Sequence, residues 1–201
     1  MEKNHHQQPL NLQLPDAEIR LFPQFIAAAD ATRWQAELVR TLAWQQHRIT
    51  IYGKTIDCPR LSAWHGDSNA RYAYSGQELT PAPWTPRLSA LKTAVEAAAD
   101  TAMNSVLANW YRNGIDSMGW HSDDEPELGE NPTILSLSFG EPRVFQLRHK
   151  ATGQREKILL PHGSLLLMAG ETQRHWQHAI NKSKRAMRSR INLTFRKIRT
   201  T

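Results

Sequence analysis

The apolar positions along the chain change period partway. Trp34, Leu38, Val39 and Leu42 recur three and four apart, the spacing of one helix face, and Asp30 is suited to the N-cap. A second helix starts with Thr85 as N-cap and Pro86 at the first helical position. It runs through an alanine-rich stretch to about Leu107 and buries Leu91, Val95, Ala98 and Met103. Between these helices Ile49, Ile51 and Tyr52 read as a strand, Gly53 and Lys54 open a turn, and Tyr72 and Tyr74 suggest another extended segment. From Ala108 onward short apolar runs lie between Gly, Pro and Asn, at 134–139, 144–148, 158–160, 164–168, 176–180 and 191–195. Short strands with such punctuation argue for a sandwich or jelly roll. Helices first and strands later disfavour a doubly wound parallel sheet. The expected class is α+β, mainly β: a jelly-roll core (a double-stranded β-helix) braced by two N-terminal helices.

Length and composition narrow this further. The 201 residues fit one domain with a proper core, 40% are apolar and 22% charged, and wholesale disorder is excluded. Residues 1–15 are polar and expected to be flexible, leaving 16–201 as the single domain. No apolar run approaches the roughly 18–20 residues that span a bilayer, so no membrane partner is expected. The N-terminus lacks the apolar core of a secretory signal, and Cys58 has no internal partner, which together predict a cytoplasmic protein; a monomer is expected. The net charge of +6 is uneven: residues 182–199 carry eight basic side chains and no acid, whereas Asp123, Asp124, Glu125 and Glu127 crowd together. That asymmetry points to a polyanionic partner and a separate cation site.

His121 and Asp123 stand two apart. In an extended segment they present an imidazole and a carboxylate to one point. A third ligand would come from His162, His175 or His178. Two imidazoles and a carboxylate on one face of a metal leave positions open, the facial arrangement of non-haem Fe(II) oxygenases. Near the C-terminus, strand parity puts Arg190, Asn192, Thr194 and Arg196 on one face and Ile191, Leu193 and Phe195 on the other. The apolar set is expected to pack between sheets, with the polar set lining a cavity or the opposite surface. Two guanidiniums flanking an amide and a hydroxyl suit a dicarboxylate, because arginine pairs bidentately with carboxylates and keeps its charge.

Together the strings Asn109-Trp110-Tyr111, His121-Ser122-Asp123, His178 and Arg190-Ile191-Asn192-Leu193-Thr194-Phe195-Arg196 closely resemble the AlkB family of 2-oxoglutarate-dependent dealkylases. The resemblance runs from about Ile49 to Ile198. The Tyr52-Gly53-Lys54, Pro59-Arg60 and Tyr72-Ala73-Tyr74-Ser75-Gly76 elements look most like the branch that repairs duplex DNA.

The resemblance implies Fe(II) at His121, Asp123 and His178, the family's distal histidine preceding a small or apolar pair like Ala179-Ile180. It implies 2-oxoglutarate and O₂ as cosubstrates. Arg190 would hold the distal carboxylate with Asn109 and Tyr111; Arg196 would approach the other carboxylate, supported by Asn192 and Thr194. His175 would be a wall residue and His162 structural. The implied reaction oxidises an N-methyl group of 1-methyladenine or 3-methylcytosine, yielding succinate, CO₂ and formaldehyde. A nucleotide-recognition lid over about 48–78 would carry Tyr72 and Tyr74, with Tyr74 stacking on a flipped base and Tyr52 wedging into the duplex. Asp124 and Glu125 would accept from the base, and Gly53, Lys54, Arg60 and the 182–185 loop would lie along the backbone. RNA as substrate, or a protein or small-molecule substrate for an Fe/2-oxoglutarate hydroxylase, are the alternative readings.

Overall fold

The computed structural model describes residues 8–51, 53–70, 72–74 and 77–199. In chain order the elements begin with β1 (Leu10–Leu12), β2 (Glu18–Phe22), α1 (Ala28–Thr41), β3 (Arg48–Ile51) and β4 (Lys54–Asp57). They continue with β5 (Leu61–Gly66), β6 (Tyr72–Tyr74), β7 (Gln77–Leu79), α2 (Pro86–Ala99), β8 (Ser105–Tyr111) and β9 (Met118–His121). After a 3₁₀ turn at Pro126–Leu128 come β10 (Ile134–Gly140), β11 (Arg143–His149), β12 (Arg155–Leu160) and β13 (Leu165–Ala169). The chain closes with α3 (Thr172–His175), β14 (Trp176–Ile180) and β15 (Arg190–Arg196).

Two antiparallel sheets form the core, a seven-stranded one in the order β1-β2-β13-β10-β15-β8-β5 and a four-stranded one in the order β12-β11-β14-β9. Strands β3–β4 and β6–β7 make separate hairpins. The expected jelly roll with two bracing helices is borne out. Leu10–Leu12, inside the stretch expected to be flexible, pairs with β2 as an edge strand, and residues 1–7 lie outside the described residues.

Three local expectations are corrected. Helix α1 starts one turn earlier than Asp30, with Ala27 as an N-cap that makes no side-chain bond. The small helix-forming residues 27–29 extend it, and Asp30 instead sits in the first turn, where a carboxylate suits the helix dipole. Helix α2 does begin at Thr85, whose Oγ1 accepts from Leu88 N at 3.2 Å, but it stops at Ala99. Asp100 turns left-handed at φ 50°, and residues expected to prolong the helix become β8. Tertiary pairing of β8 with both β5 and β15 draws Ser105, Val106 and Leu107 into the sheet. The third correction is α3, a short helix inside the region expected to be all strand.

The core divides into two apolar clusters. One lies between the large sheet and the helices: Leu38, Leu88, Leu91 and Val95 meet Leu135, Leu137, Phe139, Ile191, Leu193 and Phe195. The other lies between the sheets, with Phe145, Leu147, Ile158, Trp176 and Ile180 facing Ile134, Leu166 and Met168. Each fully buried leucine or phenylalanine contributes about 1.5–3 kcal/mol over its exposed state. The apolar face of β15 was expected between the sheets. It packs against the helices instead, and that inversion turns the polar face of β15 into the interior.

Candidate active site

The inward face of β15 presents Arg190, Asn192, Thr194 and Arg196 to the gap between the sheets. Its neighbour β10 aligns Ser136 with Thr194 and Ser138 with Asn192, so the wall is polar across two strands. Asn192 Nδ2 donates to Ser136 Oγ at 2.8 Å and to Leu137 O at 3.2 Å, Thr194 Oγ1 donates to Asn192 Oδ1 at 3.1 Å, and Arg190 Nη2 donates to Ser138 Oγ at 2.9 Å. On the other side β8 adds Asn109 and Tyr111, in register with Asn192 and Arg190. All six residues expected to hold a cosubstrate line one cleft, about 450 Å³ including its open mouth.

The same cleft holds His121, Asp123 and His178. His121 ends β9, directly across from His178 on β14, and Asp123 follows on the connecting loop. One ligand atom from each of the three lies within 4.8 Å of the others. His178 Nε2 and Asp123 Oδ2 are 4.0 Å apart. The His121 Nδ1 lies 2.9 Å from Gly119 O, which places its proton there and leaves Nε2 as the free lone pair. Asp123 Oδ1 accepts from Arg196 Nη2 at 2.6 Å, leaving Oδ2 toward the histidines. His175 and His162, the other candidates for the third ligand, are not part of this group. His162 Nδ1 accepts from Gly140 N at 2.7 Å, a structural role at the base of α1.

Electrostatics prepare Asp123 and His178 for a cation. Burial alone would raise the Asp123 carboxyl, but Arg196, His178 and His121 outweigh it and hold it below its ordinary value. His178 is driven down to about 3, first by burial and then by His121, against the opposing pull of Asp123. A neutral imidazole and an ionised carboxylate are the forms that ligate a metal. The donor set therefore fits a divalent ion of nitrogen and oxygen preference.

A cleft anion is equally provided for. Arg190 is 2% exposed, and its Nε and Nη1 have no hydrogen-bond partner. Burial above all, partly offset by Tyr111 and reinforced by Arg143, lowers its guanidinium to about 10, still fully charged at neutral pH. A buried cation with two idle donors costs free energy unless an anion joins it.

The residues expected to touch a substrate are less uniformly placed. Asp124 is exposed and accepts from Lys150 Nζ at 3.0 Å. Glu125 Oε2 is buried with no partner. Arg60 turns inward and donates to Asn109 Oδ1 at 2.9 Å. Gly53 occupies the β3–β4 turn at φ 74°, a left-handed conformation glycine adopts without strain. Lys54 begins β4, Tyr72 and Tyr74 bound β6, and Tyr52 lies outside the described residues.

Sequence reasoning missed several contributors. Ser136 and Ser138 alternate with leucines in β10, a period-two signal that could have been used. Gln173, Arg143 and Lys150 carry no such signal, because their partners lie far away in sequence.

A second group, Asp16, His149 and His175, also brings three ligand types together. There His149 Nδ1 accepts from Ala151 N and Thr152 N, each at 3.2 Å. The ring proton must then sit on Nε2, 3.2 Å from Asp16 Oδ2. That tautomer offers a hydrogen bond to the carboxylate and no lone pair to a metal, so the group is a clamp on the β1–β2 turn.

The family model described as the 2OG-Fe(II) oxygenase superfamily matches residues 18–196. The chain belongs to that superfamily. Within it the AlkB family is shown by curated relatives. "DNA oxidative demethylase ALKBH2" of Mus musculus is 41% identical over 162 residues, covering 77% of this chain and 68% of that protein. "Alpha-ketoglutarate-dependent dioxygenase alkB homolog 3" of Homo sapiens is 40% identical over 192 residues, covering 90% of this chain. This AlkB-family chain spans 66% of the length of that homolog 3 protein. Among solved structures, OsALKBH1 superposes with a TM-score of 0.64 at 18% identity, covering 92% of this chain and 100% of its own. A prolyl hydroxylase from Trichoplax adhaerens, in complex with a hypoxia inducible factor peptide fragment, gives 0.62 at 12% identity, covering 90% and 83%. These two structural likenesses speak to the fold alone. No described helix is long and apolar enough to cross a membrane.

Proposed function

We propose that this protein is an oxygenase that binds Fe(II) through His121, Asp123 and His178, consumes 2-oxoglutarate and O₂, and removes N-methyl groups from nucleic-acid bases. The observation that carries the reading is the pairing, in one cleft, of a two-histidine, one-carboxylate group with a buried arginine whose Nε and Nη1 are idle. The first suits a ferrous ion with open positions, and the second suits the distal carboxylate of a diacid. The names of the ALKBH2 and homolog 3 relatives support the same activity.

When bound, the iron supplies oxidation of the methyl carbon coupled to decarboxylation of the oxo acid. For each methyl group, one 2-oxoglutarate and one O₂ give succinate, CO₂ and formaldehyde, and the base nitrogen keeps a hydrogen. The protein's own residues bind, orient and exclude water. Arg190, Tyr111 and Asn109 hold the distal end of the diacid, while Asn192 and Thr194 form the polar wall along its length. Arg196 approaches the carboxylate beside the keto group and holds Asp123 in the orientation that frees Oδ2. Glu125, with its buried and unpartnered Oε2, accepts from the exocyclic amine, and its charge suits the cationic ring of 1-methyladenine or 3-methylcytosine. Asp124, Tyr52, Gly53, Lys54, Arg60, Tyr72 and Tyr74 complete the contacts, with Tyr74 stacking on the base and the 48–78 segment serving as lid. The protein acts as a cytoplasmic monomer on alkylated DNA.

The test is turnover. Incubation with Fe(II), ascorbate, 2-oxoglutarate and methylated single- and double-stranded oligonucleotides should yield formaldehyde and a mass loss of one methylene per lesion. A parallel RNA panel decides between DNA and RNA. Glu125→Ala should lower demethylation more than the uncoupled decarboxylation of 2-oxoglutarate. Succinate formation that never responds to any methylated oligonucleotide would point to a protein or small-molecule substrate instead.

A further inference from the structure

The guanidinium of Arg143, at the start of β11, is the second buried cation beside the cleft and does not line it. It is 3% exposed and donates only to backbone carbonyls: Nη1 to Asn113 O at 3.2 Å, and Nη2 to Asp116 O at 3.1 Å and Asn181 O at 2.7 Å. Asp116 and Glu141 favour its charge without hydrogen-bonding to it through their carboxylates, and each is shared with an arginine of its own, Asp116 with Arg112 and Glu141 with Arg188. The Arg143 guanidinium carbon lies 5.8 Å from the Tyr111 ring centroid, and that of Arg190 lies 5.2 Å from the same ring.

Two buried guanidiniums thus share one aromatic ring, and the hydrogen bonds each makes go to carbonyl or hydroxyl oxygens. Buried charges are ordinarily paired, because removing an ion from water costs several kcal/mol that dipoles alone repay poorly. At the other end of the polar wall, by contrast, Arg196 is neutralised by Asp123. The surplus positive charge is therefore concentrated at the Tyr111 end, and part of it sits out of contact range.

We infer that Arg143 is a specificity-determining residue: its charge, acting through Tyr111 and Arg190, selects a cosubstrate with a second carboxylate over an oxo acid of the same length that lacks one. This rests on the proposed binding of 2-oxoglutarate with its distal carboxylate at Arg190. Arg143 touches neither carboxylate. It supplies field, and it fixes the 113–116 and 181 backbone against the ring. The arrangement is pre-charged for a dianion and gains less from a monoanion of equal length.

The experiment compares equilibrium binding of 2-oxoglutarate with that of 2-oxopentanoate, in which a methyl group replaces the distal carboxylate. Mn(II) stands in for iron so that no turnover intervenes. Wild type should prefer the diacid. Arg143→Met should weaken 2-oxoglutarate about tenfold, the loss expected for removing one charge about 10 Å away in a medium of effective dielectric near 20. Binding of 2-oxopentanoate should weaken less, because its one carboxylate lies at the metal end, farther from that field. Arg143→Lys keeps the charge but cannot span three carbonyls, so it should melt lower yet retain most of the preference.

Equal weakening of both acids in a folded Arg143→Met would reduce the residue to a structural prop and overturn the inference, as would no weakening of either. Should Arg143→Met fail to fold, Arg143→Lys decides, since loss of diacid preference with 2-oxopentanoate binding intact would overturn it too. A wild-type protein with no preference at all would instead sink the cosubstrate assignment itself.

Discussion

Gln173 Oε1 accepts the backbone N–H of Asp123 at 2.9 Å, so a fully buried side chain on α3 holds the loop that carries the carboxylate ligand. The ladder between β9 and β14 is short: His121 pairs with His178 and Met118 with Ile180, with a register shift between them. Beyond His121 the loop is tied down by side chains instead. Ser122 Oγ donates to Trp176 O at 3.0 Å, and Lys150 Nζ bridges Asp124 Oδ2 and Gln173 O. Groups that orient metal ligands typically matter 10–100-fold in affinity. Gln173→Leu, which removes the acceptor and keeps the volume, should therefore weaken Mn(II) binding by about that range. Calorimetric titration of the apoprotein checks this, and an unchanged affinity would mean the loop holds its place without the amide.

Removing a ligand outright should be more severe. His121→Ala or His178→Ala should abolish turnover by abolishing metal binding. Asp123→Ala carries an added penalty, because it also removes the 2.6 Å ion pair with Arg196. Thermal melts of the three variants should accordingly rank Asp123→Ala lowest. Metal titration that still saturates in all three would remove the group from consideration.

Arg190→Ala should leave metal affinity nearly intact and raise the 2-oxoglutarate requirement. A hydrogen bond to a charged group contributes about 1.5–3 kcal/mol, which corresponds to a roughly 10–100-fold higher half-saturating concentration. The readout is initial rate against 2-oxoglutarate concentration at saturating oligonucleotide. A curve that superimposes on wild type would place the diacid elsewhere.

Asp116 offers a test in acid. Burial would raise its carboxyl, but three hydrogen bonds from Arg112 and the charges of Arg112 and Arg143 hold it below its ordinary 3.8. A depressed folded value means the carboxylate stabilises the fold fully above the unfolded value, and that this contribution disappears as pH falls through the lower folded value. The gap in melting temperature between wild type and Asp116→Asn should therefore be widest near neutrality and close in acid below the ordinary value. A gap that stays constant with pH would show that Asp116 acts through packing alone.

Much of the site could be read from residue order because it depends on strand parity. Arg190, Asn192, Thr194 and Arg196 share a face in any extended backbone, and His121 with Asp123 needs only two residues of spacing. Parity names the two sets but not which of them faces inward. Ile191, Leu193 and Phe195 look like the between-sheet set until the helices are known to cover them. The end of α2 was hidden for a related reason. Ala99, Ala102 and Leu107 are good helix formers, and only pairing with β5 and β15 makes 105–107 the start of a strand. Helix α3 is too short to display a period. Gln173 and Arg143 act across 50 and 38 residues, distances at which local pattern carries no information.

The helix-side cluster lets the jelly roll keep a hydrophilic gallery where sandwich folds are normally greasy. Cohesion on the helix flank of the large sheet leaves room for chemistry in part of the gap between the sheets, beside the second apolar cluster, and the strands serve both. Exchanging Asn192 or Thr194 to admit other oxo acids breaks the bonds they make to Ser136 and to each other, at about 1–3 kcal/mol for a buried partner left unsatisfied. Shaving Phe139 or Leu137 from the opposite flank costs about 2–5 kcal/mol and touches no reactive group.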